Sequence, residues 1–121
     1  MDHLTTLQLL ELGSNKIREL KNISKLKNLK QLWIGRNKIS KIQGLEGLPL
    51  EKLSIQDNKL TSMIGINSLT TLQEMYLSEN GITKIEGLEK LSNLRILDLS
   101  NNMIESLSGL ESSTKLEELW V

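Results

Sequence analysis

The sequence predicts an α/β solenoid: 22-residue coils stacked so that short parallel strands line a concave face and 3₁₀ or short helical turns line the convex face. Three observations carry this prediction. Asn15, Asn37, Asn58, Asn80 and Asn102 recur at spacings of 22, 21, 22 and 22 residues. Around them the pattern LxxLxLxxNxIxxIxxIxxL repeats five times, and 34 of its 35 apolar positions hold Leu, Ile or Met. No unit holds enough apolar surface to bury itself, so neighbouring units must stack.

Each part of the unit has its own physical reason. LxxLxL puts its second and third leucines on one side of a short strand and the residue between them on the other. The asparagine ends the strand, and its side chain can satisfy turn N–H and C=O groups that would otherwise be buried unpaired. Stacking the units therefore predicts an asparagine ladder inside the coil. The IxxIxxL stretch has a period near three, which suits 3₁₀ turns or a short helix. Gly44, Gly65, Gly87 and Gly109 share one phase of the repeat and mark a tight bend on the return path. The one shortened unit runs through "GLPLEK", where Pro49, the only proline, sits at the trimmed turn and its missing N–H does no harm. Ser113 is the one polar residue in an apolar slot.

Residues 1–121 are expected to form one domain: five full repeats with partial repeats at the ends, the last beginning as "LEELWV". Native caps are not recognisable, so the chain reads as a fragment whose uncapped end repeats can self-associate through their strand edges.

The 15 basic and 15 acidic residues balance, so no overall charge draws the chain to nucleic acid or membrane. The balance hides an asymmetry: residues 1–60 hold 11 Lys and Arg against 6 Asp and Glu, and residues 61–121 hold 4 against 9. There is no cysteine, the start lacks a signal-like basic and apolar region, and no apolar run reaches membrane-spanning length. The expected location is intracellular, in nucleus and cytoplasm, where the sequon Asn22-Ile23-Ser24 is a chance match. The single histidine, His3, reads as a solvated terminal residue, and without cysteine it offers neither a metal cluster nor a catalytic triad. Phosphate-binding glycine loops are missing as well. The reading is non-enzymatic, with no cofactor, no metal and no nucleic-acid partner.

Function is then sought among residues the core does not need. With the first leucine of LxxLxL as position one, positions three, five and seven point away from the core, onto the open face of the sheet. Position five reads Glu11, Trp33, Ser54, Tyr76, Asp98 and Trp120, and it holds all three aromatic residues of the chain. Position three adds Leu9 and Ile96, with Glu118 in the last unit. Position seven is small or neutral, which leaves the aromatic faces accessible, and positions three, five, seven and eight together sum to a charge of −4. With strands about 4.8 Å apart, Trp33 and Trp120 stand roughly 19 Å apart with Tyr76 midway. Aromatic anchors among carboxylates suit a protein interface. Aromatics also suit strands and stack over cross-strand neighbours without any partner, but a single-column series beside an acidic surplus favours the interface.

The units "ISKIQGLEGL" and "ITKIEGLEKL", with "LELGSNKIR", "LSIQDNKLT" and "LEELWV" in the same order, resemble the leucine-rich-repeat regulatory subunits of type-1 serine/threonine protein phosphatase. That resemblance extends over essentially the whole chain. It implies a scaffold whose concave face grips the phosphatase catalytic subunit through acidic and aromatic positions, matched here by Glu11, Trp33, Asp98, Glu118 and Trp120, with Tyr76 in the same column. The common phosphatase-docking motif of basic, aliphatic, any and aromatic residues is missing, so binding would rest on the concave surface. Other readings are a different intracellular adaptor of the same repeat subclass, in cytoskeletal or splicing assemblies, and a bacterial surface adhesin with 22-residue repeats.

Overall fold

The computed structural model describes residues 4–121; His3 lies outside them. Six three-residue strands, β1 (Leu9–Glu11), β2 (Gln31–Trp33), β3 (Lys52–Ser54), β4 (Glu74–Tyr76), β5 (Ile96–Asp98) and β6 (Glu118–Trp120), form one sheet in sequence order. All five pairings are parallel, and each matches position to position: Leu10, Leu32, Leu53, Met75, Leu97 and Leu119 form one row. The register survives the 21-residue unit because the missing residue is taken from the turn. Leu48 N still bonds Leu45 O at 3.2 Å, while Leu50 follows Pro49 only two residues later.

The leucine, isoleucine and methionine slots of the middle units are buried, most of them completely. Burying each such side chain contributes about 1.5–3 kcal/mol, and only stacking makes that burial possible. Toward the ends the same slots open: Leu7, Leu10 and Ile17 are half-buried, and Leu107 and Leu119 are exposed. Ser113 takes the slot filled by Leu91 one unit earlier, and its buried hydroxyl finds no hydrogen-bond partner among the described residues.

The asparagine ladder forms as expected. Asn37 Nδ2 donates to Leu12 O, Ile34 O and Gly35 O at 3.0–3.1 Å, and its Oδ1 accepts from Ile17 N at 3.1 Å. Asn58, Asn80 and Asn102 repeat the arrangement one unit further along each time. Each rung thus joins two coils. Gly44, Gly65, Gly87 and Gly109 all adopt positive φ. At Gly65 a Cβ would stand 2.1 Å from Ile42 O, so the return path there admits only glycine. In the first unit Asn22, at φ 64°, takes the same place.

One feature differs from the sequence reading, and a second lay outside it. The convex return holds no helix and no 3₁₀ segment among the described residues. It is a series of single turns, such as Leu26 N to Ile23 O and Leu29 N to Leu26 O. These bonds recur only at every third residue, at the buried side chains, so the consecutive i to i+3 bonds of a 3₁₀ helix never build up. Second, the residue before each asparagine is left-handed: Ser14, Arg36, Asp57, Glu79 and Asn101 have φ of 53–58°. The asparagine amide binds across that kink, which holds side chains in a conformation ordinarily left to glycine.

Candidate functional site: the open face of the sheet

Residues at positions three and five of each unit lie two apart on a strand and so share one face. The register aligns Glu11, Trp33, Ser54, Tyr76, Asp98 and Trp120 as one row across all six strands, and Leu9, Gln31, Lys52, Glu74, Ile96 and Glu118 as a second. Every residue singled out from the sequence therefore falls on this face, but they do not form an even strip. Trp33 and Tyr76 lean toward each other over β3 and stack with ring centroids 6.0 Å apart and planes 23° apart. Ser54 lies beneath them, only 3% exposed. A serine is small enough to let the rings meet above it, so the stacking alternative is realised for this pair. Trp120 makes no ring contact among the described residues, and is 57% exposed.

The pair is fixed from its polar edges. Trp33 Nε1 donates to Gln31 Oε1 at 3.2 Å, and the Tyr76 hydroxyl donates to Glu74 Oε1 at 2.5 Å. Glu74 Oε2 also faces Lys52 Nζ at 3.5 Å and Arg95 Nη1 at 4.0 Å. Burial, followed by the Glu74 hydrogen bond and the charges of Glu74, Glu118 and Asp98, pushes the Tyr76 phenol up to about 12. The carboxylates thus act on the tyrosine from its own strand and from β5 and β6.

Glu11 and Asp98 fold back along their own strands. Glu11 Oε1 accepts from Gly13 N at 2.5 Å, and Asp98 Oδ1 accepts from Ser100 N at 3.0 Å and Ser100 Oγ at 2.7 Å. Each keeps its second oxygen available to a partner. Beside Trp33 lies a hollow of about 220 Å³ walled by Glu11, Gly35, Arg36, Ser54 and Gln56. A Cβ on Gly35 would stand 3.0 Å from Gln56 Cγ, so the glycine does keep this space open.

Glu74 is the residue that sequence reasoning did not single out. Its signal was present: it stands in the face-sharing position of the same strand as Tyr76. Among the described residues no group of three acidic or histidine side chains could hold a metal ion, and no helix is long and apolar enough to cross a membrane.

A parallel sheet of three-residue strands, one per 22-residue coil and joined by asparagine rungs, defines the class of protein. The chain belongs to the leucine-rich-repeat family: the family model "Leucine Rich repeats (2 copies)" matches residues 5–47, 70–112 and 92–121. Within that family it is 49% identical over 55 residues to the protein phosphatase 1 regulatory inhibitor subunit PPP1R7 homolog of Arabidopsis thaliana. That match covers 45% of this chain and 16% of the Arabidopsis protein. Two internalins of Listeria monocytogenes have similar structures. InlF is 31% identical with a TM-score of 0.87, over 98% of this chain and 36% of its own. InlC2 is 29% identical with a TM-score of 0.90, over 98% of this chain and 53% of its own.

Proposed function

We propose that the chain is a non-enzymatic scaffold, working in nucleus and cytoplasm, that grips the catalytic subunit of type-1 serine/threonine protein phosphatase through the concave face of its sheet. One observation carries the reading: aromatic and acidic side chains that the core does not claim stand in register on one face. The likeness to a phosphatase regulatory subunit supplies the partner. Trp120 is the open anchor, with Asp98 and Glu118 beside it. Trp33 and Tyr76 act as one preformed apolar plate, edged by Glu11 and Glu74, which reduces the ordering that binding would otherwise demand.

Binding of purified catalytic subunit to this chain, followed by calorimetry, tests the reading. Trp33→Ala and Trp120→Ala should each weaken binding by about 2 kcal/mol or more. Unchanged affinity in both, with circular dichroism showing an intact fold, refutes the residue assignment. Absence of any capture refutes the partner. The likeness to internalins over 98% of this chain favours a second reading, a bacterial repeat adhesin, in which the same face meets a different protein; absence of capture would leave that reading and the other intracellular adaptor standing against the phosphatase.

A further inference from the structure

Beyond the open sheet face, a second surface stands apart in charge. Where the chain leaves the asparagine ladder, positions ten, twelve, thirteen and fifteen of the first three repeats carry six cations and one carboxylate. That carboxylate, Glu19, is held by Lys21 at 3.1 Å. Lys16, Arg18, Lys38, Lys41 and Lys59 form no salt bridge among the described residues. The same positions in the fourth and fifth repeats hold Lys84 against Glu86 and Glu105. The cationic character is therefore confined to one part of the flank and is not a property of the repeat.

Beyond the residue that follows each asparagine the coils part, as they do at every junction between repeats. Between the second and third repeats the main-chain ladder ends at Lys59 N to Ile39 O, 2.8 Å, and no main-chain hydrogen bond joins residues 40–43 to residues 61–64. A hollow of about 360 Å³ opens there, walled by Lys41, Ile42, Gln43, Thr61, Ser62 and Ile64 among others. Ile64 is 70% exposed. The other full repeats place Lys21, Gln43, Glu86 and Ser108 at its position, so neither the fold nor the core asks for an isoleucine.

We propose that this flank is a second docking surface, which takes an extended acidic peptide segment of a partner and seats one aliphatic side chain beside Ile64. Unpaired cations call for an anionic partner. The hollow, with hydroxyls and main-chain groups that are not paired between the coils around Ile42 and Ile64, suits a polypeptide, whose own N–H and C=O groups can pair along it. Single-stranded nucleic acid would want aromatic stacking platforms, and all three aromatic residues lie on the sheet face. A membrane surface would want a broad apolar face rather than one isoleucine. The row Lys16, Lys38, Lys59 spans two strand spacings, roughly 10 Å, which is the length of about three residues of extended chain.

The test is fluorescence anisotropy of a dye-labelled Glu-rich peptide with a central isoleucine, titrated with the chain and with two variants. Lys38→Glu/Lys41→Glu/Lys59→Glu should weaken binding by about tenfold or more. Ile64→Ser, an exposed position safe for folding, should weaken it by roughly threefold. Trp120→Ala should leave it unchanged, so this surface stands or falls separately from the phosphatase reading. Equal binding by the triple variant overturns the proposal. So does insensitivity to Ile64→Ser, which would mark simple charge attraction. Displacement of the peptide by lower concentrations of oligothymidylate or of anionic phospholipid vesicles likewise overturns it.

Discussion

Replacing Asn80 by alanine should be among the most damaging single changes in the chain, and the ladder geometry says by how much. Asn80 Oδ1 accepts from Leu60 N at 2.9 Å, and Nδ2 donates to Ile55 O, Leu77 O and Ser78 O at 2.9, 3.1 and 3.2 Å. Without the amide, Leu60 N–H loses its only partner inside a fully buried residue, at a cost of about 2 kcal/mol. The three carbonyls each keep another donor: Asn58, Asn102 and Asp57 N respectively. Their loss is therefore milder, about 0.5 kcal/mol apiece. The expected destabilisation is about 3–4 kcal/mol. Asn15, in contrast, bonds only Leu12 O and Gly13 O within its own exposed coil, so Asn15→Ala should cost about 1 kcal/mol or less. Urea unfolding followed by tryptophan fluorescence and far-ultraviolet circular dichroism reads the difference as a midpoint lowered by about 1.5–2 M for Asn80→Ala. Equal losses at the two positions, or less than about 1 kcal/mol at Asn80, would refute the two-coil rung.

Three further outcomes follow from the geometry. Gly65→Ala should cost more than about 3 kcal/mol, because its Cβ would meet Ile42 O at 2.1 Å, whereas Gly47→Ala, with nothing within 4 Å, pays only for its φ of 79°, about 1 kcal/mol; thermal unfolding separates them. An ultraviolet titration of the single tyrosine should show a midpoint near 12, moved back toward the ordinary value by Glu74→Gln. Since the folded phenol titrates above the unfolded one, its stabilising contribution is complete below about pH 10 and fades as pH rises toward 12. Sedimentation of this chain at rising concentration should show salt-sensitive association through the edges of β1 and β6, the basic half meeting the acidic half; monomer throughout would refute it.

The solenoid was legible because one signal, the apolar and asparagine period, governs strand, turn and ladder together. The open face was legible by subtraction: whatever the core left over had to point outward, and the register put it in rows. The left-handed residue before each asparagine was not legible. Ser14, Arg36, Asp57, Glu79 and Asn101 share no chemistry that announces positive φ; the conformation is imposed by the asparagine amide and the neighbouring coil. The absence of helical character on the return path follows from a similar override. A period of three satisfies both a 3₁₀ helix and a chain of separate turns, and the pattern of side chains alone does not tell them apart. The stacking of Trp33 on Tyr76 depended on a residue that attracts no notice, Ser54, whose small side chain lets two rings from non-adjacent strands meet.

That serine bears on how the face would work. Had position five of β3 carried an aspartate like Asp98, the two rings would have been held apart by a charged side chain needing solvent. With serine they close, and the Trp33 and Tyr76 rings present one continuous apolar plate. One unit pair further on, Asp98 occupies the equivalent place between Tyr76 and Trp120. No ring contact joins them, and Trp120 stays exposed. The same spacing of aromatics therefore yields a closed plate over serine and an open, negatively charged gap over aspartate. Exchanging the two floors separates these roles: Asp98→Ser should lower the salt dependence of partner association, because it removes the charge from the gap. Ser54→Asp should part Trp33 from Tyr76 and lower affinity with little change in long-range attraction. If the two variants behaved alike, the face would be a uniform patch, and the residue between the aromatics would have no say in what it binds.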